Sequence, residues 1–247
     1  LNCTINRATK HDRKNYFYAD LPKAYQTTQD DVPLCANGYL DILVGDETRR
    51  IGITRLHIEE DTAKLIHADE FGGTLIDFNR CGVPLIEIVS QPDISSAEEA
   101  IAYLERLRDL LRFAKVSDCR WEQGSMRCDV NLSVRPEGSD KFGVRTEIKN
   151  MSSFEAIEKA IHYESQRHID ALEFETEELV QETRRWDDAN GVSIAMRSKE
   201  EAQDYRYFPE PDLLPIEISD EWIDSIKETI PELPEARRAR YVGEYGL

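Results

Sequence analysis

The sequence predicts an α+β fold: a mostly antiparallel sheet with flanking helices. Three patterns predict it. Short runs with period-two alternation fill the first half of the chain. Helical segments with their own capping residues come later. Between them there is no regular strand–helix–strand rhythm of the kind that builds a parallel sheet.

The first clear element is a hairpin, Tyr39 to Val44 closed by Gly45-Asp46 and followed by Arg50 to Glu60. Thr74 to Phe78 and Leu85 to Val89 read as short strands separated by Asn79-Arg80-Cys81-Gly82, a turn composition. Ser95 or Ser96 then opens a helix, with Glu98 or Glu99 three residues on as a capping box. Ile101, Leu104, Leu107, Leu111 and Ala114 follow at helical spacing and predict one buried face. Met126, Cys128, Val130, Leu132 and Val134 alternate with Arg127, Asp129, Asn131, Ser133 and Arg135, which predicts a half-buried strand. Arg145 to Lys149 is its expected partner across Pro136-Glu137-Gly138. Ser152 or Ser153 caps a second helix carrying Ile157 and Ile161. Trp222 to Ile230 makes a short helix, and a basic helix around Arg237 to Tyr241 follows Pro231 and Pro234.

Composition sets limits. At 247 residues, 40% hydrophobic and 32% charged, the chain has the makeup of a globular protein with a real core. No apolar stretch approaches the roughly 20 residues of a membrane span, and no signal-peptide pattern opens the chain. Five cysteines without a C-x-x-C pair argue against a disulfide framework or zinc knuckle and for a reducing compartment. A net charge of −18 argues against indiscriminate nucleic-acid binding, though not against a specific contact with a nucleic-acid end. The first residue is Leu1, so the sequence reads as a piece of a longer protein.

Two glutamates stand where glutamate is expensive. Glu87 interrupts Leu85-Ile86-Glu87-Ile88-Val89, and Glu60 follows Leu56 and Ile58 on one face of a strand. A carboxylate carried into an apolar layer needs a cation, a metal or a set of hydrogen bonds to receive it. One reading is a pair holding a metal or a proton; the other is a structural ion pair with Arg55 or Arg80. The face Arg127/Asp129/Asn131/Arg135 is either solvated or a set of phosphate and metal-water contacts. The stretches Asp12 to Tyr18 leading into Leu21 to Gln26, Gln181 to Trp186 preceding Met196 to Lys199, and Asp204 to Asp212 interleave aromatic and basic residues. Such stretches stack on a base or form a structural network at a sheet edge. No phosphate loop, dinucleotide fingerprint, zinc-protease helix or nucleophile elbow is present, so any ATP would sit on a sheet surface through metal and arginine.

Asp12 to Gln26, Ile51 to Asp61, Gly82 to Asp93, Gly124 to Ser133, Glu147 to Phe154, Gln181 to Arg185 and Asp204 to Asp212 together resemble the B component of the tRNA-dependent amidotransferase family. The resemblance runs through essentially the whole chain. It implies a cradle domain similar to glutamine synthetase and the guanido kinases over residues 1–230, and the start of a helical domain over 231–247. It implies ATP-dependent phosphorylation of the side-chain carboxylate of Glu-tRNA(Gln) or Asp-tRNA(Asn). Ammonia from a partner amidase, the A component, then gives Gln-tRNA or Asn-tRNA; a small C component completes the complex. Glu60 and Glu87 match the family's magnesium-ligating glutamates, and Glu60 is also a catalytic candidate. Lys14, Arg80, Arg127, Asp129 and Lys149 are candidates for ATP phosphates or substrate, and Lys14 and Lys23 for an ammonia passage. The resemblance implies a cytoplasmic or organellar setting.

The family's upstream Gly-Leu-Glu-Val-His-like element has no counterpart in the sequence, so one metal ligand and one strand are expected to be missing. The competing readings are a docking module without turnover and a ligase acting on a free small carboxylate.

Overall fold

The computed structural model describes residues 1–68, 72–198 and 204–246. The first half of the chain is all strand: β1 (Thr4–Ile5), β2 (Ala8–Thr9), β3 (Asp12–Asn15), β4 (Tyr25–Thr28), β5 (Cys35–Val44), β6 (Glu47–Glu60), β7 (Lys64–Ala68), β8 (Gly73–Asp77) and β9 (Pro84–Ser90). Helix α1 (Ala97–Phe113), strands β10 (Cys128–Leu132) and β11 (Thr146–Met151), and helix α2 (Phe154–Phe174) come next. Strands β12 (Glu182–Asp187), β13 (Val192–Ser198), β14 (Phe208–Pro209) and β15 (Ile216–Glu217) lead to helices α3 (Asp220–Lys227) and α4 (Pro234–Tyr245). The fold is α+β, as expected.

The chain divides into two compact units. The first comprises Leu1–Asp41, Arg50–Asp93 and Gln203–Thr229; the second comprises Ile42–Arg49, Ile94–Ala202 and Ile230–Leu247. Strand order β1-β5-β6-β9 forms a four-stranded sheet, and β14-β3-β4, β15-β2 and β7-β8 form smaller ones. Gly45, with φ +60°, supplies the left-handed residue of the turn between β5 and β6. The expected strand Thr74 to Phe78 is present as β8, but it pairs with β7 and not with the strand that follows. That following strand, β9, pairs antiparallel with β6.

A β-bulge sets the chemistry of β6. The register against β9 shifts between Ile53 and Arg55, so one extra residue enters on the β6 side. Ile51 and Ile53 are buried before it, Leu56 after it. The core-facing phase thus moves from odd to even positions, and Arg55, His57 and Glu59 share the opposite face.

In the second unit the sheet order is β10-β11-β12-β13. The α1 helix is capped by Ser96, whose side chain accepts from Glu99 N, while the Glu99 carboxylate accepts from Ser95 N at 2.7 Å. Its buried face is Ala100, Tyr103, Leu104 and Leu107; Ala114 is the C-cap and is exposed, so the expected stripe is one turn too long. The α2 helix is capped by Ser153 and buries Ile157, Ala160 and Ile161. Strand β10 alternates as expected and pairs antiparallel with β11. β11 and β12 are parallel, with α2 as the crossover, a strand–helix–strand unit that the sequence pattern does not announce. The expected helix from Trp222 starts earlier, where Ser219 caps it, and ends at Lys227.

Candidate functional site

The functional face of the first unit is built by the β6–β9 pairing. In register, Arg55 lies opposite Val89, His57 opposite Glu87, Glu59 opposite Leu85 and Glu60 opposite Pro84. Directly opposed residues point to the same side, so Glu87 joins His57 and Glu59 on one face. One ligand atom from each of these three lies within 4.8 Å of the others. His57 is 3% exposed, and its Nδ1 has no hydrogen-bond partner among the described residues. Its Nε2 lies 3.4 Å from Glu59 Oε2, and that oxygen also accepts from Thr28 Oγ1 at 3.4 Å.

Glu87 is exposed, which corrects the expectation that it is carried into an apolar layer. Its neighbours Ile86 and Ile88 take the face of Leu56 and Ile58, and period-two alternation turns Glu87 away from them. Nor is either arginine its partner: Arg80 Nε instead pairs with Asp61 Oδ2 at 3.2 Å and donates to Thr62 O at 3.1 Å.

Glu60 lies on the other face by the same alternation. Its carboxylate is held by Lys23 Nζ at 2.5 Å and by Thr27 N at 2.9 Å, while Gln26 Nε2 donates to its carbonyl at 2.8 Å. It therefore does form an ion pair, with a lysine in place of the expected arginine. The two glutamates singled out in the sequence are not brought together in one cluster; His57 and Glu59 stand beside Glu87 instead.

Strands β3 and β4 carry residues of the second candidate region, with Lys14 opposite Gln26 and Asn15 opposite Tyr25. Lys14 Nζ lies 4.5 Å from the centre of the Tyr205 ring and 5.5 Å from that of Tyr16. Lys23 Nζ lies 4.6 Å above Tyr25. A cleft of about 310 Å³ opens here, lined by Asn15, Tyr16, Phe17, Lys23, Tyr25 and Arg206 among others. Burial, followed by the charges of Asp20 and Glu59, raises the Tyr16 phenol above its ordinary value. Burial, then Asp30 and Tyr205, pushes Tyr207 up to about 12. Both phenols stay protonated at neutral pH and available as donors.

Not every basic residue in these stretches faces the cleft. Arg13 makes a two-pronged contact with Glu210 at 2.8 and 2.7 Å and reaches Asp212 at 3.1 Å, so it ties β3 to β14. Arg184 and Trp186 belong to the interior of the second unit. For these the structural-network reading holds.

Arg127, Asp129 and Lys149 lie in the second unit, apart in sequence and unit from the β6–β9 cluster. Lys149 Nζ bridges Asp129 Oδ2 at 2.6 Å and Glu147 Oε1 at 3.1 Å. Burial works against its charge, but the two carboxylates outweigh it and raise its pKa. Arg127 is exposed immediately before β10.

Two carboxylates and one imidazole converging on adjacent strands form a donor set suited to a divalent cation such as Mn²⁺ or Mg²⁺ with retained waters. His57 and Glu59 were the residues sequence reasoning missed. Their signal was the polar period-two series Arg55, His57, Glu59, hidden beside the apolar series that drew attention to Glu60.

Residues 1–224 match the family model described as the GatB/GatE catalytic domain. Over 246 residues the chain is 59% identical to the B component of the aspartyl/glutamyl-tRNA(Asn/Gln) amidotransferase of Caldicellulosiruptor bescii, covering all of this chain and 51% of the relative. It is 59% identical over 248 residues to the protein of the same name from Clostridium botulinum strain Loch Maree, covering 52% of it. With the Caldicellulosiruptor saccharolyticus protein the identity is 58% over 246 residues, with 51% covered. The chain thus spans about half the length of the curated relatives it matches. No helix among the described residues is long and apolar enough to cross a membrane. With residues 1–224 matched and about 59% identity along its whole length, the chain belongs to the GatB/GatE catalytic-domain family.

Proposed function

We propose that this chain forms the carboxylate-activating part of a tRNA-dependent amidotransferase, with a cradle similar to that of glutamine synthetase. Its reaction is ATP-dependent phosphorylation of the side-chain carboxylate of Glu-tRNA(Gln) or Asp-tRNA(Asn), followed by displacement of phosphate by ammonia. Partners are an amidase, the A component, that releases ammonia from glutamine, a small C component and the aminoacyl-tRNA. The α4 helix is read as the start of a helical domain. The observation that carries the reading is the His57/Glu59/Glu87 cluster on a surface with no phosphate loop.

A carboxylate is a poor acyl donor and its acyl phosphate a good one, so the residues need chiefly to neutralise charge and align the reactants. Bound there, Mg²⁺ would neutralise developing charge on the transferred phosphoryl group. His57, Glu59 and Glu87 would hold that cation, each offering one ligand atom. Glu60, paired with Lys23, accepts the extra proton of arriving ammonium before attack. Lys14 and Lys23, held over tyrosine rings, line the approach of ammonia. Arg80, Arg127, Asp129 and Lys149 remain candidates for ATP or substrate contacts, with Arg80 contributing mainly through the loop it fixes.

The test is Mn²⁺ titration of the chain, followed by Mg·ATP-dependent amidation in the complete three-component complex. Glu87→Ala should weaken Mn²⁺ binding by about tenfold or more and reduce amidation in parallel. Unchanged Mg·ATP affinity in Glu87→Ala would sink the assignment.

A further inference from the structure

Arg55 is the one charged residue of the β6–β9 face whose role the cluster leaves open. It is only half-buried, yet its Nε is fully enclosed and has no hydrogen-bond partner among the described residues. It makes no ion pair with any described residue, although the same face carries Glu59 and Glu87. An enclosed guanidinium donor without an acceptor is unfavourable unless a ligand supplies one. Register puts Arg55 opposite Val89, next to the rung formed by His57 and Glu87. Two residues along a strand separate Arg55 from His57 by roughly 7 Å.

We propose that Arg55 holds the oxygens of a phosphoryl group bound to the cation at His57, Glu59 and Glu87, a reading that rests on the metal site proposed above. The charge balance of the face selects that ligand. Glu59 and Glu87 neutralise a divalent cation, which leaves the Arg55 charge without a counterpart. A phosphoryl group carries two or more negative charges and several oxygens, enough to satisfy the open positions of the cation and the planar guanidinium fork together. A carboxylate carries one charge and two oxygens, and meets one of those demands at a time.

The experiment uses the full chain and calorimetry with two probes, Mn²⁺ alone and pyrophosphate as its Mn²⁺ complex. In Arg55→Gln, Mn²⁺ affinity should stay within about twofold of the parent while pyrophosphate binding weakens by about 10- to 100-fold. Arg55→Lys keeps the charge without the fork and should fall between the two. Free glutamate, titrated in a third arm, should show no comparable dependence on Arg55. Circular dichroism melting checks that each variant is folded; if Arg55→Gln is not, Arg55→Lys carries the comparison. Equal pyrophosphate affinity in the parent and Arg55→Gln overturns the proposal for Arg55 alone. Loss of Mn²⁺ binding together with pyrophosphate binding reassigns Arg55 to the metal site and equally overturns it. No Mn²⁺ binding by the parent chain overturns the metal reading and this one with it. A larger effect on glutamate than on pyrophosphate names a carboxylate as the ligand and refutes the phosphoryl assignment.

Discussion

Replacing Glu164 by alanine should destabilise the second unit by about 3 kcal/mol, near the lower end of what breaking a buried ion pair costs. Glu164 is fully buried on α2. One carboxylate oxygen accepts from Ser193 Oγ on β13 and lies 3.3 Å from Arg184 Nε on β12. The other accepts from Arg167 at 3.0 and 2.9 Å. Truncation leaves two guanidinium groups and a hydroxyl facing a cavity where the carboxylate was. The penalty stays at the low end because each arginine keeps another carboxylate. Arg167 retains Glu177 at 3.0 Å and Glu182 at 3.4 Å; Arg184 retains Glu182 at 2.8 Å. The assay is urea unfolding followed by tryptophan fluorescence, since Trp186 on β12 is buried in the same sheet. Arg167→Ala and the double variant complete a cycle that isolates the pair. A loss below about 1 kcal/mol, or zero coupling between Glu164 and Arg167, would refute the view that this network ties α2 to the sheet.

Other outcomes follow from single contacts. Glu60→Gln removes the charge facing Lys23 and should lower stability by about 1 kcal/mol or less. It should leave Mn²⁺ affinity within about twofold; a loss of about tenfold would make Glu60 a ligand and displace the His57/Glu59/Glu87 assignment. At Gly143 an added Cβ would run into the Val134 carbonyl, with the Val134 carbon at 3.1 Å, so both obstacles are backbone. Gly143→Ala should therefore lower stability by about 1–3 kcal/mol, and an unchanged urea midpoint would contradict that close approach. The hydrogen bond from Arg13 holds the Glu210 carboxyl below its ordinary 4.5. Its folded pKa is depressed, so this stabilisation is present above pH 4.5 and is lost as pH falls through the lower folded value. The stability gap between the parent and Arg13→Met should narrow below about pH 4.5. A gap that stays constant from about pH 7 to 3 would show that the pair contributes no proton linkage.

Local chemistry made much of the fold legible. Ser96 and Ser153 cap α1 and α2 because a serine hydroxyl satisfies the free N–H groups of a first turn, whatever lies beyond it. The alternation through Cys128, Val130 and Leu132 marked β10, because one side of that strand meets the core and the other meets solvent. Along the whole chain, the resemblance of its residue strings identified the family.

Tertiary structure decided the rest. Strand β12, with the sequence Glu-Thr-Arg-Arg-Trp-Asp, lacks an apolar alternation because its polar side chains find partners on other elements: Thr183 donates to Glu147 on β11 and Arg184 pairs with Glu164 on α2. The parallel pairing of β11 with β12 depends on where α2 delivers the chain, which no turn composition encodes. The site is the clearest case. From the sequence, Glu60 and Glu87 looked like partners because each follows apolar residues. In the structure a single bulge between Ile53 and Arg55 sets the phase of β6, and the register with β9 sets what stands opposite. Those two features put His57 and Glu59 beside Glu87 and leave Glu60 to Lys23. A period-two pattern tells which residues share a face, but only strand pairing tells which faces meet.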